Sequence, residues 1–84
     1  MKLHTLKIDK CFWENLDSGK KKCEIRFNDR DYQVGDALFF PYMTENGCQV
    51  ATGSQSHFEI THIHTGIGVK DGFVLLSLEK NDLK

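Results

Sequence analysis

Residues 18–36 read Ser18-Gly-Lys-Lys-Lys-Cys-Glu-Ile-Arg-Phe-Asn-Asp-Arg-Asp-Tyr-Gln-Val-Gly-Asp36 and hold five cations and four anions. Within them, residues 21–27 alternate: Cys23, Ile25 and Phe27 fall on one side of an extended chain, and Lys22, Glu24 and Arg26 on the other. A side-chain period of two marks a β-strand, so this segment is expected to carry an apolar back toward the core and a charged front. Both ends are punctuated. Gly19 can take the left-handed conformation that stops a helix, and residues 28–31 and 34–36 have the composition of tight turns.

Working outward, residues 3–8 also alternate, with Leu3, Thr5 and Lys7 against His4, Leu6 and Ile8, and predict a first strand. The period then changes. Phe12, Trp13 and Leu16 are spaced for one face of a helix over residues 10–18, with Asp9 as its N-cap. Downstream, residues 37–42 form a hydrophobic strand, and Glu45-Asn-Gly47 is a hairpin signal leading into a strand at 48–51. Two more strands are expected at 57–64 and 73–78, joined by a segment with three glycines that is a loop or a single helical turn. Strand, helix and about five closely spaced strands predict an α+β, mainly β fold. The expected architecture is a small, closed, mixed β-barrel whose principal N-terminal helix covers an open end and lays Trp13 against it, leaving a cleft at the rim.

A chain of 84 residues supports one modest core, so residues 1–84 are read as a single domain. Its longest apolar runs are a few residues, against the roughly 20 of a membrane-crossing helix. The N-terminus lacks the uninterrupted apolar centre of a secretory signal, and the expected location is the cytoplasm. Cys11, Cys23 and Cys48 are odd in number with no C-x-x-C pair, which fits free thiols. Net charge is −1, yet eight of the eleven lysines and arginines precede Asp31. That asymmetry favours a local anion site over a uniformly basic surface.

The spacing Gly19-x-Lys21-x-x-Glu24-x-Arg26 resembles the G-x-K-x-x-E-x-R signature of ASCH domains, the activating signal cointegrator homology family of the PUA-like superfamily. His4-Thr-Leu-Lys-Ile8 resembles the opening strand of its short members. Asn28-Asp-Arg-Asp31 and Val34-Gly-Asp36 resemble their turn, and Gly72-Phe-Val-Leu-Leu-Ser77 their last strand, so the likeness spans nearly the whole chain. The resemblance implies a PUA-like barrel and a cleft that holds RNA, a nucleotide or a modified nucleobase. Such a ligand needs cations for phosphate, acceptors for base amino groups and flat apolar surface. Lys21, Arg26 and Arg30 are candidates for the first, Glu24 for the second, and Trp13, Phe27 or Tyr42 for the third. Where the family often has Tyr-Thr-Gly and a basic residue, this chain has Ala51-Thr-Gly-Ser54, which favours a small ligand or a short contact over a long RNA.

Against a ligand site stands a plain surface charge network, in which Glu24 and Arg26 pair with each other or with Asp29 and Arg30. Arg30 and Asp31 are read first as turn residues, and Asp36 likewise. An enzyme is the second functional class, because some ASCH-like proteins deacylate N4-acylated cytidine. The resemblance then implies catalytic roles for Lys21 and, in place of the family's threonine, Glu24; the family's later insertion is absent. A protein-interaction adaptor is the third class. No cofactor is expected. His62 and His64 share a strand face with His57 nearby, but no third ligand has diagnostic spacing, and no metal is expected.

Overall fold

His4, Leu6 and Ile8 are buried in the first strand while Leu3, Thr5 and Lys7 face out, as the alternation predicts. The computed structural model describes residues 1–81. Its elements run β1 (Leu3–Asp9), α1 (Lys10–Asp17), β2 (Cys23–Phe27), β3 (Ala37–Glu45), β4 (Cys48–Ala51), β5 (His57–His64) and β6 (Phe73–Asn81). The hairpin between β3 and β4 turns on Asn46 and Gly47, both at positive φ. Thr52 fastens the chain after β4 to β3, its hydroxyl donating to the Phe40 carbonyl at 2.6 Å. Among the described residues, no helix is long and apolar enough to cross a membrane.

The strands form one mixed sheet in the order β1-β3-β5-β6-β2, with β4 hydrogen-bonded to β3 beside this path. β1 runs parallel to β3, and the other pairs are antiparallel. The fold is therefore α+β and mainly β, but the expected closure is absent: β1 and β2 end the path, and no ladder joins them. A side chain spans the seam instead. Arg26 on β2 donates from Nη2 to the Lys7 carbonyl on β1 at 2.8 Å, so the sheet curls until its ends lie one arginine apart. The charged residues of β2 occupy that seam, and sealing it with a ladder would cut them off from water at high desolvation cost.

The faces of β2 are also not the expected ones. The period of two is there, but its phase is the reverse of the expected one. Glu24 is 6% exposed and Arg26 half-buried, while Ile25 and Phe27 are 59% and 56% exposed. β6 fills the core beside Glu24 and Arg26 with Val74, Leu76 and Leu78, so the carboxylate needs no apolar neighbour on its own strand.

Trp13 and Leu16 are the buried residues of α1, and Trp13 lies against Phe40 and Phe58 with ring centroids 6.0 Å away in each case. Eight residues are too few for a helix stable by itself, so this docking holds it in place. Asp9 occupies the N-cap position in an extended conformation, although its side chain makes no capping bond. Gly19 stops the chain at φ +85°.

Asp36 is a buried acceptor rather than only a turn residue. It takes hydrogen bonds from His4 Nε2 at 2.8 Å and from the backbone N–H groups of Lys2 and Gln33 at 3.0 and 3.1 Å. The His4 hydrogen bond, helped by those backbone groups, holds the Asp36 carboxyl at about 2, against the upward push of burial. A depressed folded-state value means stability that is complete above the ordinary carboxylate range and lost as pH falls through the folded value. Urea unfolding will accordingly show stability declining between about pH 4 and pH 2. Asp36→Asn will be less stable at pH 6 and will decline less across that interval; equal declines would show that the Asp36 carboxylate does not carry this pH dependence.

Candidate functional site

The seam between β1 and β2 opens into two adjoining grooves. The larger, about 430 Å³, is lined by Thr5, Leu6 and Lys7 of β1, Arg26 and Phe27 of β2, and Asp29, Arg30 and Tyr32 of the following turn. The smaller, about 270 Å³, is lined by Lys7, Ile8, Asp9 and Phe12 on one side and by Glu24, Ile25, Arg26 and Phe27 on the other. Lys7, Arg26 and Phe27 belong to both. The Arg26 guanidinium lies 5.8 Å from the centroid of the core ring Phe40, so it forms the floor of the seam.

Glu24 is held from two sides. Its Oε1 is 3.1 Å from Lys21 Nζ, and its Oε2 accepts from Arg26 Nη2 at 3.0 Å. Lys21 Nζ also donates to the Cys23 carbonyl and lies 5.7 Å from the Phe12 ring centroid. Lys21, Glu24 and Arg26 thus form one triad. Lys21 itself lines a separate pocket beneath α1, with Leu16, Gly19, Phe58 and Leu78, and neither seam groove. Its ammonium is committed to holding Glu24.

Arg30 is different. It is exposed, lines the larger groove and has no hydrogen-bond or ion-pair partner among the described residues. Lys7 at the opposite wall is likewise exposed and has no ion pair among them. The groove therefore holds Lys7, Arg26 and Arg30 against one acid, Asp29, with Glu24 behind Arg26. Buried Tyr32 also lines it and lies tilted against His4, with ring centroids 4.8 Å apart. Burial pushes the Tyr32 phenol up, while the Arg26 and Arg30 guanidiniums pull it down.

Of the stacking candidates, Phe27 lies at the grooves, Trp13 is in the core, and the exposed Tyr42 lines neither groove. Sequence reasoning missed Lys7, Tyr32 and Phe12. Asp31 fixes the turn at φ +50°, accepting from the Gln33 side-chain amide at 3.0 Å. His64 Nε2 donates to the Ile67 carbonyl at 2.8 Å, and among the described residues no group of three or more His, Cys, Asp or Glu could hold a metal ion. Cys11, Cys23 and Cys48 are free.

A family model described as a domain of unknown function, DUF3850, matches residues 3–78, which include every strand-borne and turn-borne residue of the two grooves. The chain belongs to the DUF3850 family. No curated protein matches it. In this DUF3850 chain the matched segment begins at the first residue of β1 and ends within β6, so β1, β2 and the seam between them lie inside the family's extent.

Proposed function

We propose that this chain is an ASCH-like, PUA-type module of the cytoplasm that binds RNA or a nucleotide in the β1–β2 seam without catalysing a reaction. The observation that carries the reading is a pair of exposed cations, Lys7 and Arg30, that have no ion pair among the described residues and line a groove that also exposes the Phe27 ring. A buried salt bridge is already neutralised, whereas exposed cations without a counterion attract an incoming anion. The groove's volume is within the range of about 300–1,000 Å³ that takes a small ligand. Phosphate oxygens are matched by Arg30 and Lys7, a base face by Phe27, and, from the adjoining smaller groove, a base N–H donor by Glu24. That carboxylate has lone pairs beyond the two used by Lys21 and Arg26.

Two or three neutralised phosphates give a log-affinity slope of roughly −1.5 to −2 against log salt for a single strand. Fluorescence anisotropy with a labelled eight-nucleotide oligouridylate at several salt concentrations reads that slope. Binding at low salt with this dependence is the expected result. No binding at low salt, or binding indifferent to salt, would contradict the proposal.

A further inference from the structure

We propose that the outer face of β2 and β6 continues the seam as a stacking track for single-stranded nucleic acid, running from Arg30 across Phe27 and Phe73 to Lys70. This rests on the nucleotide reading of the seam and extends it to a site longer than one nucleotide.

The phase of β2 is reversed. It turns Ile25 and Phe27 outward beside Leu75 and Phe73, their register partners on β6. Phe27 is exposed yet firmly seated. Gly72 lies bare against its ring at φ +84°, where an added Cβ would be 3.0 Å from Phe27 Cε1. The Asn28 N–H donates to the Gly72 carbonyl at 2.8 Å, and Phe73 meets Phe27 nearly edge-on at 5.5 Å. An aromatic ring fixed by its neighbours and still open to solvent loses little freedom when a base stacks on it.

Cations mark both ends of the ridge. Arg30 and Lys7 lie at the groove, and the Lys70 ammonium lies 5.8 Å from the Phe73 centroid with no ion-pair partner among the described residues. Beyond Phe27, Ile25, Gly68, Val69, Lys70 and Phe73 line a shallow, mostly apolar hollow of about 210 Å³. Rings interleaved with cations suit a polyanion of flat bases. A second protein copy suits them less, because the core of a protein interface is depleted in lysine and Lys70 lines the hollow itself. Stacking reads no base edge, so the track is tolerant of sequence.

The test compares uridine 5′-monophosphate with oligouridylates of two to eight nucleotides, using wild type, Lys70→Ala and Phe27→Leu. Affinity is expected to rise at least tenfold from the monophosphate to the longer oligomers. Lys70 is exposed, so Lys70→Ala will leave the fold and monophosphate binding intact, weaken the octamer several-fold and reduce its salt slope by about 0.7. Phe27→Leu keeps apolar volume but removes the ring, and will weaken the octamer about tenfold. Equal affinities for monophosphate and octamer, with Lys70→Ala silent, would overturn the track and leave the seam site standing. Failure of both ligands to bind would overturn the seam reading and the track together. A dimer by sedimentation that Phe27→Asp dissolves, without any effect on oligomer binding, would assign the face to a second copy and overturn the track.

Discussion

Trp13→Ala will destabilise the chain by roughly 3–5 kcal/mol in urea unfolding. The ring is 5% exposed and lies on Phe40 and Phe58, two of the most deeply buried side chains in the molecule. Its removal leaves a cavity between α1 and the sheet that backbone on neither side can fill without breaking register. A small domain has about 0.05–0.15 kcal/mol of stability per residue, so this single loss takes a large share of what 84 residues provide. Phe12→Ala, one position earlier and half-exposed, serves as the control and should cost less than about 1 kcal/mol. A loss below about 1 kcal/mol for Trp13 would show that the helix is not docked through it.

The second large effect belongs to Glu24. Removing one partner from a fully buried ion pair costs roughly 3–5 kcal/mol. Here the side chains of Lys21 and Arg26 keep 23% and 24% exposure and can recover part of their hydration, so Glu24→Ala should cost about 2 kcal/mol. Arg26→Ala should cost a similar amount, since it leaves Glu24 Oε2 and the Lys7 carbonyl without their donor. Combined, the two substitutions should cost at least about 1 kcal/mol less than their sum, because they remove the same interaction. An additive double mutant, or a Glu24→Ala loss below about 0.5 kcal/mol, would reduce the triad to a surface network. Glu24 and Arg26, named from the sequence as ligand candidates, thus also have a structural role: Arg26 spans the open seam to the Lys7 carbonyl and Glu24 holds its guanidinium.

Strand existence was legible in the sequence because period and turn residues are local. β1, the Asn46-Gly47 hairpin and β5 fall where alternation and turn chemistry put them. The phase of β2 was not legible, since alternation defines two faces without saying which is buried. The rule that apolar faces turn inward fails here because Glu24 has both oxygens paired and Arg26 reaches the Lys7 carbonyl. Closure was equally hidden: a list of strands does not reveal whether the first and last elements of a sheet meet through backbone or through a side chain. Asp36 looked like a turn residue because its partner, His4, is 32 positions away.

The candidate site was legible in part for the same reason. Lys21, Glu24 and Arg26 are neighbours on one short segment, and the structure brings them together. Lys7 was readable only as an exposed position of another strand, and nothing local tied it to Arg30. Trp13 and Tyr42 illustrate the converse, aromatic residues whose type suits stacking while their places in the fold do not.

Arg30→Ala separates ligand contact from folding, because Arg30 lines the groove, is exposed and has no hydrogen-bond or ion-pair partner among the described residues. The measurement is the affinity of wild type and Arg30→Ala for uridine 5′-monophosphate and the eight-nucleotide oligouridylate at low salt, with urea unfolding of both proteins alongside. A lost charge-assisted contact of about 1.5–3 kcal/mol corresponds to at least tenfold weaker binding. That loss is expected for both ligands, with unfolding stability unchanged within about 0.5 kcal/mol. Undiminished binding by Arg30→Ala, or no binding by the wild type, would contradict it.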